Sequence, residues 1–277
     1  MPVTFSNTHR VPKYLEHALA FDDYQGRETA ISVTTLIGPP QIPCLKGTKF
    51  YTVDVTSRAN LMYGMAIHAW IAEANKGKPG YVEERFSTAI GGSVLTGKPD
   101  YILGTELRDI KTIKDSAVSY GVKDEWAQQL NVYRWLVRQH GIVVNDLYVD
   151  ALVKDFTPWS QNAAPVVTLK VPTWLLSDTK DFIMERLELY SQDPVPLCTP
   201  DECWERGGGY AIIKTGNTRA SVVLDTKEEV DAWLSDKGAN YSVEIRYPER
   251  VRCEHYCEVR DVCEQYETFK RETTSPG

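Results

Sequence analysis

Two short groups of residues carry the chemistry this sequence can do. Gly97-Lys98-Pro99-Asp100 is followed by Asp109-Ile110-Lys111, the second aspartate nine residues after the first. Residues two apart on a strand point to the same face, so Asp109 and Lys111 look the same way. A turn at Gly104-Thr105 would pair the two segments and bring Asp100 up to Asp109. Adjacent carboxylates repel and raise each other's pKa, and a divalent cation removes that cost. Mg2+ suits such a pair because it takes oxygen ligands and keeps several waters. Lys111 beside the ion is placed to orient or help deprotonate a water and to stabilise charge on a phosphoryl group. These parts together make metal-assisted hydrolysis of a phosphodiester.

Two further groups lie on predicted helices. Gln129 and Tyr133 are four residues apart and share a helix face. Gly64-Met65-Ala66-Ile67-His68 places an imidazole, a common metal ligand, upstream of the strands. The order G-x-x-x-H, G-K-P-D, D-x-K, Q-x-x-x-Y resembles the RecB-like branch of the PD-(D/E)xK nuclease superfamily. The resemblance spans residues 30–170 and implies a restriction-endonuclease-like α/β core, a mixed central sheet flanked by helices. It implies that His68, Asp100 and Asp109 hold Mg2+ or Mn2+ and that Lys111 takes part in the hydrolytic step. It also implies that the helix bearing Gln129 and Tyr133 lies beside the site and contacts nucleic acid.

The six cysteines are Cys44, Cys198, Cys203, Cys253, Cys257 and Cys263, the last three in a C-x3-C-x5-C run. No charged and apolar leader precedes them, so a disulfide framework is not expected. Thiolates drawn together suit Zn2+ or an iron–sulfur cluster. The run is similar to the iron–sulfur branch of the RecB-like nucleases, which includes AddB, CRISPR-associated RecB-like exonucleases and phage-encoded members. That resemblance implies a 4Fe-4S cluster on Cys253, Cys257, Cys263 and a fourth cysteine. Cys198 is assigned as the fourth, with Cys44 or Cys203 as alternates. The first spacing here is C-x3-C, where the family often has C-x2-C, and this keeps Zn2+ open as the metal. A cluster of this kind would clamp the C-terminal segment as a structural element.

The elements that must position these residues are legible in outline. Apolar residues Leu61, Met65, Ala69 and Ala72 recur at helical spacing from Arg58 to Ala74. Tyr81–Phe86, Ser93–Leu103 and Glu106–Thr112 read as strands, and Asp124 as the N-cap of a helix running to about Gln139. Asp146–Val153 and Val166–Val171 read as strands and Thr173–Tyr190 as a helix. Residues 31–56 read as one short element followed by a Pro-rich loop, and Val11–Phe21 as a short helix. The composition shifts near Ser191, where Asp193-Pro194-Val195-Pro196 and then Gly207-Gly208-Gly209 suggest a boundary. Residues 1–190 are therefore expected to form the nuclease core with an N-terminal helical part. Residues 191–277 are expected to form a cysteine-bearing appendage packed on that core, being marginal as a free domain.

The chain has 277 residues, 42% hydrophobic and 25% charged, which is globular composition. Its net charge of -7 excludes a general polyanion-coating protein, so any nucleic-acid contact needs a local patch. The arginines Arg246, Arg250, Arg252 and Arg260 alternate with glutamates and read as a solvated mixed surface. No apolar run is long enough to span a membrane, and a cytoplasmic setting in a bacterium or phage-infected host is expected. No G-x-x-x-x-G-K-[ST] motor motif is present, so a helicase or recombination partner would be a separate protein. The resemblance implies a DNA exonuclease acting on ends or single strands in recombination, repair or replication. The alternative is a non-cutting nucleic-acid-binding or assembly module, which would be expected to have lost an acidic or lysine position; here all are present.

Overall fold

The computed structural model describes residues 3–21, 30–160, 164–238 and 240–274. In chain order the elements begin with β1 (Thr4–Ser6), α1 (Lys13–Ala20), β2 (Ala30–Ser32), α2 (Val33–Ile37), α3 (Gln41–Thr48), β3 (Thr52–Asp54) and α4 (Ala59–Ala74). Then come β4 (Tyr81–Val82), β5 (Phe86–Ile90), β6 (Ser93–Gly97), β7 (Tyr101–Leu103), β8 (Glu106–Ile113), α5 (Asp115–Val118) and α6 (Asp124–Arg138). They are followed by β9 (Asp146–Val153), β10 (Val166–Val171) and α7 (Leu176–Ser191). The C-terminal part adds β11 (Glu205–Lys214), β12 (Ala220–Leu224), α8 (Lys227–Lys237), β13 (Tyr241–Arg250), α9 (Val251–His255) and α10 (Glu264–Thr274). This is the mixed α/β architecture expected, with several sheets flanked by helices.

The chain divides into two compact units. One holds Thr4–Pro43 and Val53–Pro196; the other holds Met1–Val3, Cys44–Thr52 and Leu197–Gly277. The break at Pro196 follows the Pro-rich stretch, where the missing N–H groups cannot sustain a helix or ladder.

In the first unit a five-stranded sheet runs in the order β10-β9-β8-β7-β4. Strands β8 and β9 are parallel, and α6 is part of the crossover that parallel neighbours require. Strands β7 and β8 are antiparallel and joined at Gly104-Thr105, with Tyr101 opposite Arg108. A second sheet, β2-β6-β5, pairs β2 parallel to β6 and β5 antiparallel to it. Leu107, Leu130, Leu136, Leu147, Val149 and Ala151 are sealed in the core. Each such Leu contributes about 1.5–3 kcal/mol by leaving water. Helix α6 packs against α2, α7 and strands of both sheets, so its position is fixed from all sides.

Several local expectations are corrected. Ser93–Leu103 is two strands in two sheets, not one, broken at Lys98-Pro99-Asp100 where Pro99 has no N–H for a ladder. The segment read as a loop contains helix α3, in which Pro43 sits in the first turn, where its missing N–H costs nothing. Lys123, not Asp124, is the N-cap of α6; Asp124 and Glu125 occupy its first turn, where carboxylates favour the helix dipole. The apolar stripe of α4 is not core: Leu61, Met65 and Ala69 are exposed. Gly207-Gly208-Gly209 belongs to β11 instead of a linker.

Candidate active site

Asp100 closes the bend that separates the two sheets, directly before β7. The antiparallel register sets it beside Asp109 on β8, and the backbone N–H of Ile110 donates to Asp100 Oδ2 at 2.6 Å. Asp109 is 1% exposed. Its Oδ2 has the Lys111 ammonium at 2.8 Å but no hydrogen bond of good geometry among the described residues. Burial raises the Asp109 carboxyl above the usual range, the charge of Lys111 opposes this, and Asp100 adds to it.

His68 reaches the same place from α4. Its Nδ1 lies 3.2 Å from Asp100 Oδ1 and 3.0 Å from Glu83 Oε1. Hydrogen bonding to Asp100 first, then to Glu83, raises the imidazole to about 10, against the desolvation that would lower it. Burial pushes the Glu83 carboxyl up, but hydrogen bonds from His68 and Lys98 more than offset this and hold it low. His68, Glu83 and Asp100 each offer a ligand atom within 4.8 Å of the others.

Glu83 is the candidate site residue that sequence reasoning missed. It follows β4 in the left-handed region, at φ 51, and its N–H donates to the Asp100 carbonyl at 3.0 Å. That conformation is costly for a non-glycine residue. Gly80 makes the approach possible: its φ is +106, and a Cβ there would lie 2.5 Å from the Ile102 carbonyl oxygen. The signal in the sequence is the charged triplet Glu83-Glu84-Arg85, which interrupts a segment otherwise suited to a strand.

Behind Lys111 stands a second relay. Lys111 Nζ donates to Gln129 Oε1 at 3.0 Å, and Gln129 Nε2 donates to Tyr133 Oη at 3.4 Å. Both residues are buried on α6, so they face Lys111 and not open surface. Burial pushes the Tyr133 phenol well above its ordinary range, keeping it protonated. Gly97 lets the helix come this close: a Cβ there would stand 2.7 Å from Tyr133 Cε1 and 2.9 Å from Leu136 Cδ2.

These donors fit a divalent cation. His68, Glu83 and Asp100 gather their ligand atoms at one spot, and Asp109 beside them has a buried carboxylate oxygen without a well-formed hydrogen bond. The arrangement can gather cationic charge against a phosphodiester and keep an ammonium at its side.

The model for the PD-(D/E)XK nuclease superfamily matches residues 46–264. The chain belongs to that superfamily. Its members are phosphodiester hydrolases that generally use Mg2+ or Mn2+, and the nuclease fold implies DNA as substrate. No curated protein matches the chain. Among solved structures, SSO0001 is 16% identical with a TM-score of 0.44, over 64% of this chain and 82% of that one. A phage-related exonuclease from Haemophilus somnus 129PT is 13% identical with a TM-score of 0.35, over 58% of this chain and 92% of that one. No described helix is long and apolar enough to cross a membrane.

In the other unit the cysteines gather. Cys203 is buried and hydrogen-bonds with the thiols of Cys198 and Cys253. Those two bonds, then the charges of Arg250 and Arg252, hold Cys203 far below the usual thiol range. Cys198 and Cys253 are pushed up, each first by its bond to Cys203. Cys253 also feels Cys257 and Cys263. Cys44 belongs to this unit as well, on α3, where its carbonyl accepts from Thr48 Oγ1. Cys203 thus links Cys198 to Cys253, while among the described residues no three thiols come within 4.8 Å of one another.

Proposed function

We propose that this nuclease is a DNA exonuclease acting on ends or single strands, with His68, Glu83, Asp100 and Asp109 as the divalent-metal site. The observation that carries the reading is the buried Asp109 paired with the half-buried Lys111 and set against Asp100 and His68. A bound Mg2+ or Mn2+ supplies Lewis-acid chemistry and acidifies water. The carboxylates balance cationic charge that they could not hold against one another alone. Asp100 is fixed by the Ile110 N–H, and Asp109 by burial. Lys111 keeps its ammonium between Asp109 and Gln129, with a proton left to orient the attacking water and steady phosphoryl charge. Gln129 and Tyr133 are positioning residues, which set where that ammonium stands.

The cysteine unit supports a further reading, a 4Fe-4S cluster or Zn2+ held by Cys253, Cys257, Cys263 and a fourth thiolate. Cys198 is the first choice for the fourth position from sequence; the hydrogen bond of the Cys203 thiol with that of Cys253 supports Cys203 there. A separate helicase or recombination protein would supply unwound ends, since the sequence carries no motor motif. A phage or bacterial recombination, repair or replication setting follows the RecB-like resemblance.

The test compares linear with covalently closed circular DNA, single- and double-stranded, with Mg2+ or Mn2+. Degradation of linear DNA alone supports exonuclease action. Nicking or cutting of closed circles refutes it and leaves an endonuclease.

A further inference from the structure

The three-stranded sheet of the C-terminal unit runs β12-β11-β13, so β13 is an edge ten residues long. Its inner side pairs antiparallel with β11, from Tyr241 opposite Lys214 to Arg250 opposite Glu205. No backbone hydrogen bond leaves its outer side among the described residues. Val243, Ile245 and Tyr247 lie on one face at 42%, 59% and 45% exposure. Glu244 and Arg246 lie exposed on the other face, with no ion pair between described residues. A long edge with exposed apolar side chains is a template for another strand.

We infer that this edge pairs with the same edge of a second copy of the chain, antiparallel about Ile245, to make a two-fold dimer with a continuous six-stranded sheet. The sequence of the strand is self-complementary about that residue. Antiparallel pairing centred on Ile245 sets Glu244 opposite Arg246 of the second copy, and Arg246 opposite its Glu244. Directly opposed residues share a face, so both charge pairs form on the polar side. On the apolar side Val243 meets Tyr247 of the second copy, Tyr247 meets its Val243, and the two Ile245 side chains meet on the axis. Pro248, opposite Ser242 in this register, lacks an N–H and ends the ladder there.

A foreign strand would not need this symmetry. Charges that merely blunt an edge have no reason to be of opposite sign at mirror positions. The interface is isologous and closes, leaving only the short β12 edges outside, so it does not propagate into fibres.

The test is sedimentation equilibrium of the full chain and three variants. Glu244→Arg sets arginine against arginine at two symmetric places, and Arg246→Glu does the same with glutamates. Each should weaken the dimer by roughly ten- to a hundred-fold in Kd. The double variant E244R/R246E recreates both pairs with the signs exchanged and should return the Kd to within about three-fold of the original. Circular dichroism of each variant separates a lost dimer from a lost fold. A wild-type chain that stays monomeric at every concentration overturns the inference. So does a dimer that ignores the single reversals, or one that the double variant fails to restore.

Discussion

Replacing Gly97 by Ala tests whether Lys111, the proposed catalytic lysine, is set from behind by α6. A Cβ at this position would lie 2.7 Å from Tyr133 Cε1 and 2.9 Å from both Tyr133 Cδ1 and Leu136 Cδ2. Carbon atoms settle at about 3.5 Å or more, so the Tyr133 ring must retreat by about 0.8 Å. The ring is 5% exposed and has nowhere to swing. Overpacking of this kind costs about 1–3 kcal/mol, a fall of about 2–12 °C in Tm for a chain of this size. The same displacement pulls on Gln129 and, through it, on Lys111. A shift approaching 1 Å at a positioning group costs up to about a hundred-fold in rate. Thermal unfolding and the cleavage rate at saturating metal and DNA read the two effects separately. Truncating Tyr133 in the double variant G97A/Y133A should make the two losses less than additive, because the ring that clashes is gone. A Gly97→Ala protein with unchanged Tm and rate would refute the close approach and the relay with it.

Glu83→Gln should weaken Mn2+ binding by about ten- to a hundred-fold while leaving the fold intact, read by Mn2+ titration followed by electron paramagnetic resonance. The metal-free protein should lose stability as pH rises from about 6.5 to about 10, because His68 is protonated only in the folded state across that window. His68→Gln should flatten that slope in Tm measured with chelator present, and an unchanged slope would count against the His68–Asp100–Glu83 cluster. Cys203→Ser should abolish the bound metal of the cysteine unit, measured as iron, acid-labile sulfide and zinc content of anaerobically purified protein. Full metal content in that variant would return the fourth ligand to Cys198 or Cys44.

The part of the site carried by local order was legible. Asp109 and Lys111 share a strand face, Gln129 and Tyr133 share a helix face, and a glycine turn joins the strands. Periodicity and turn chemistry specify those relations without reference to distant chain. Glu83 was not legible, because its role depends on a left-handed backbone and on strand β7 lying beside it. The burial of Gln129 and Tyr133 was hidden for a similar reason: it requires Gly97 on another element to admit the helix. The exposed stripe of α4 shows the converse error, since its spacing signals a helix but not whether anything is there to cover it. Which cysteine completes the C-terminal set was not legible, because sequence distance cannot say which thiols meet.

Lys111 beside a carboxylate-held divalent cation is proposed to make this chain cut DNA. Single-turnover cleavage of end-labelled DNA by anaerobically purified protein, with and without Mg2+ or Mn2+, beside Lys111→Ala, tests it most directly. Cleavage that needs the metal, and that Lys111→Ala loses while still binding Mn2+ and unfolding at the wild-type Tm, is the expected result. Equal cleavage by the variant, or none by the wild type on any substrate with its metals bound, would contradict it.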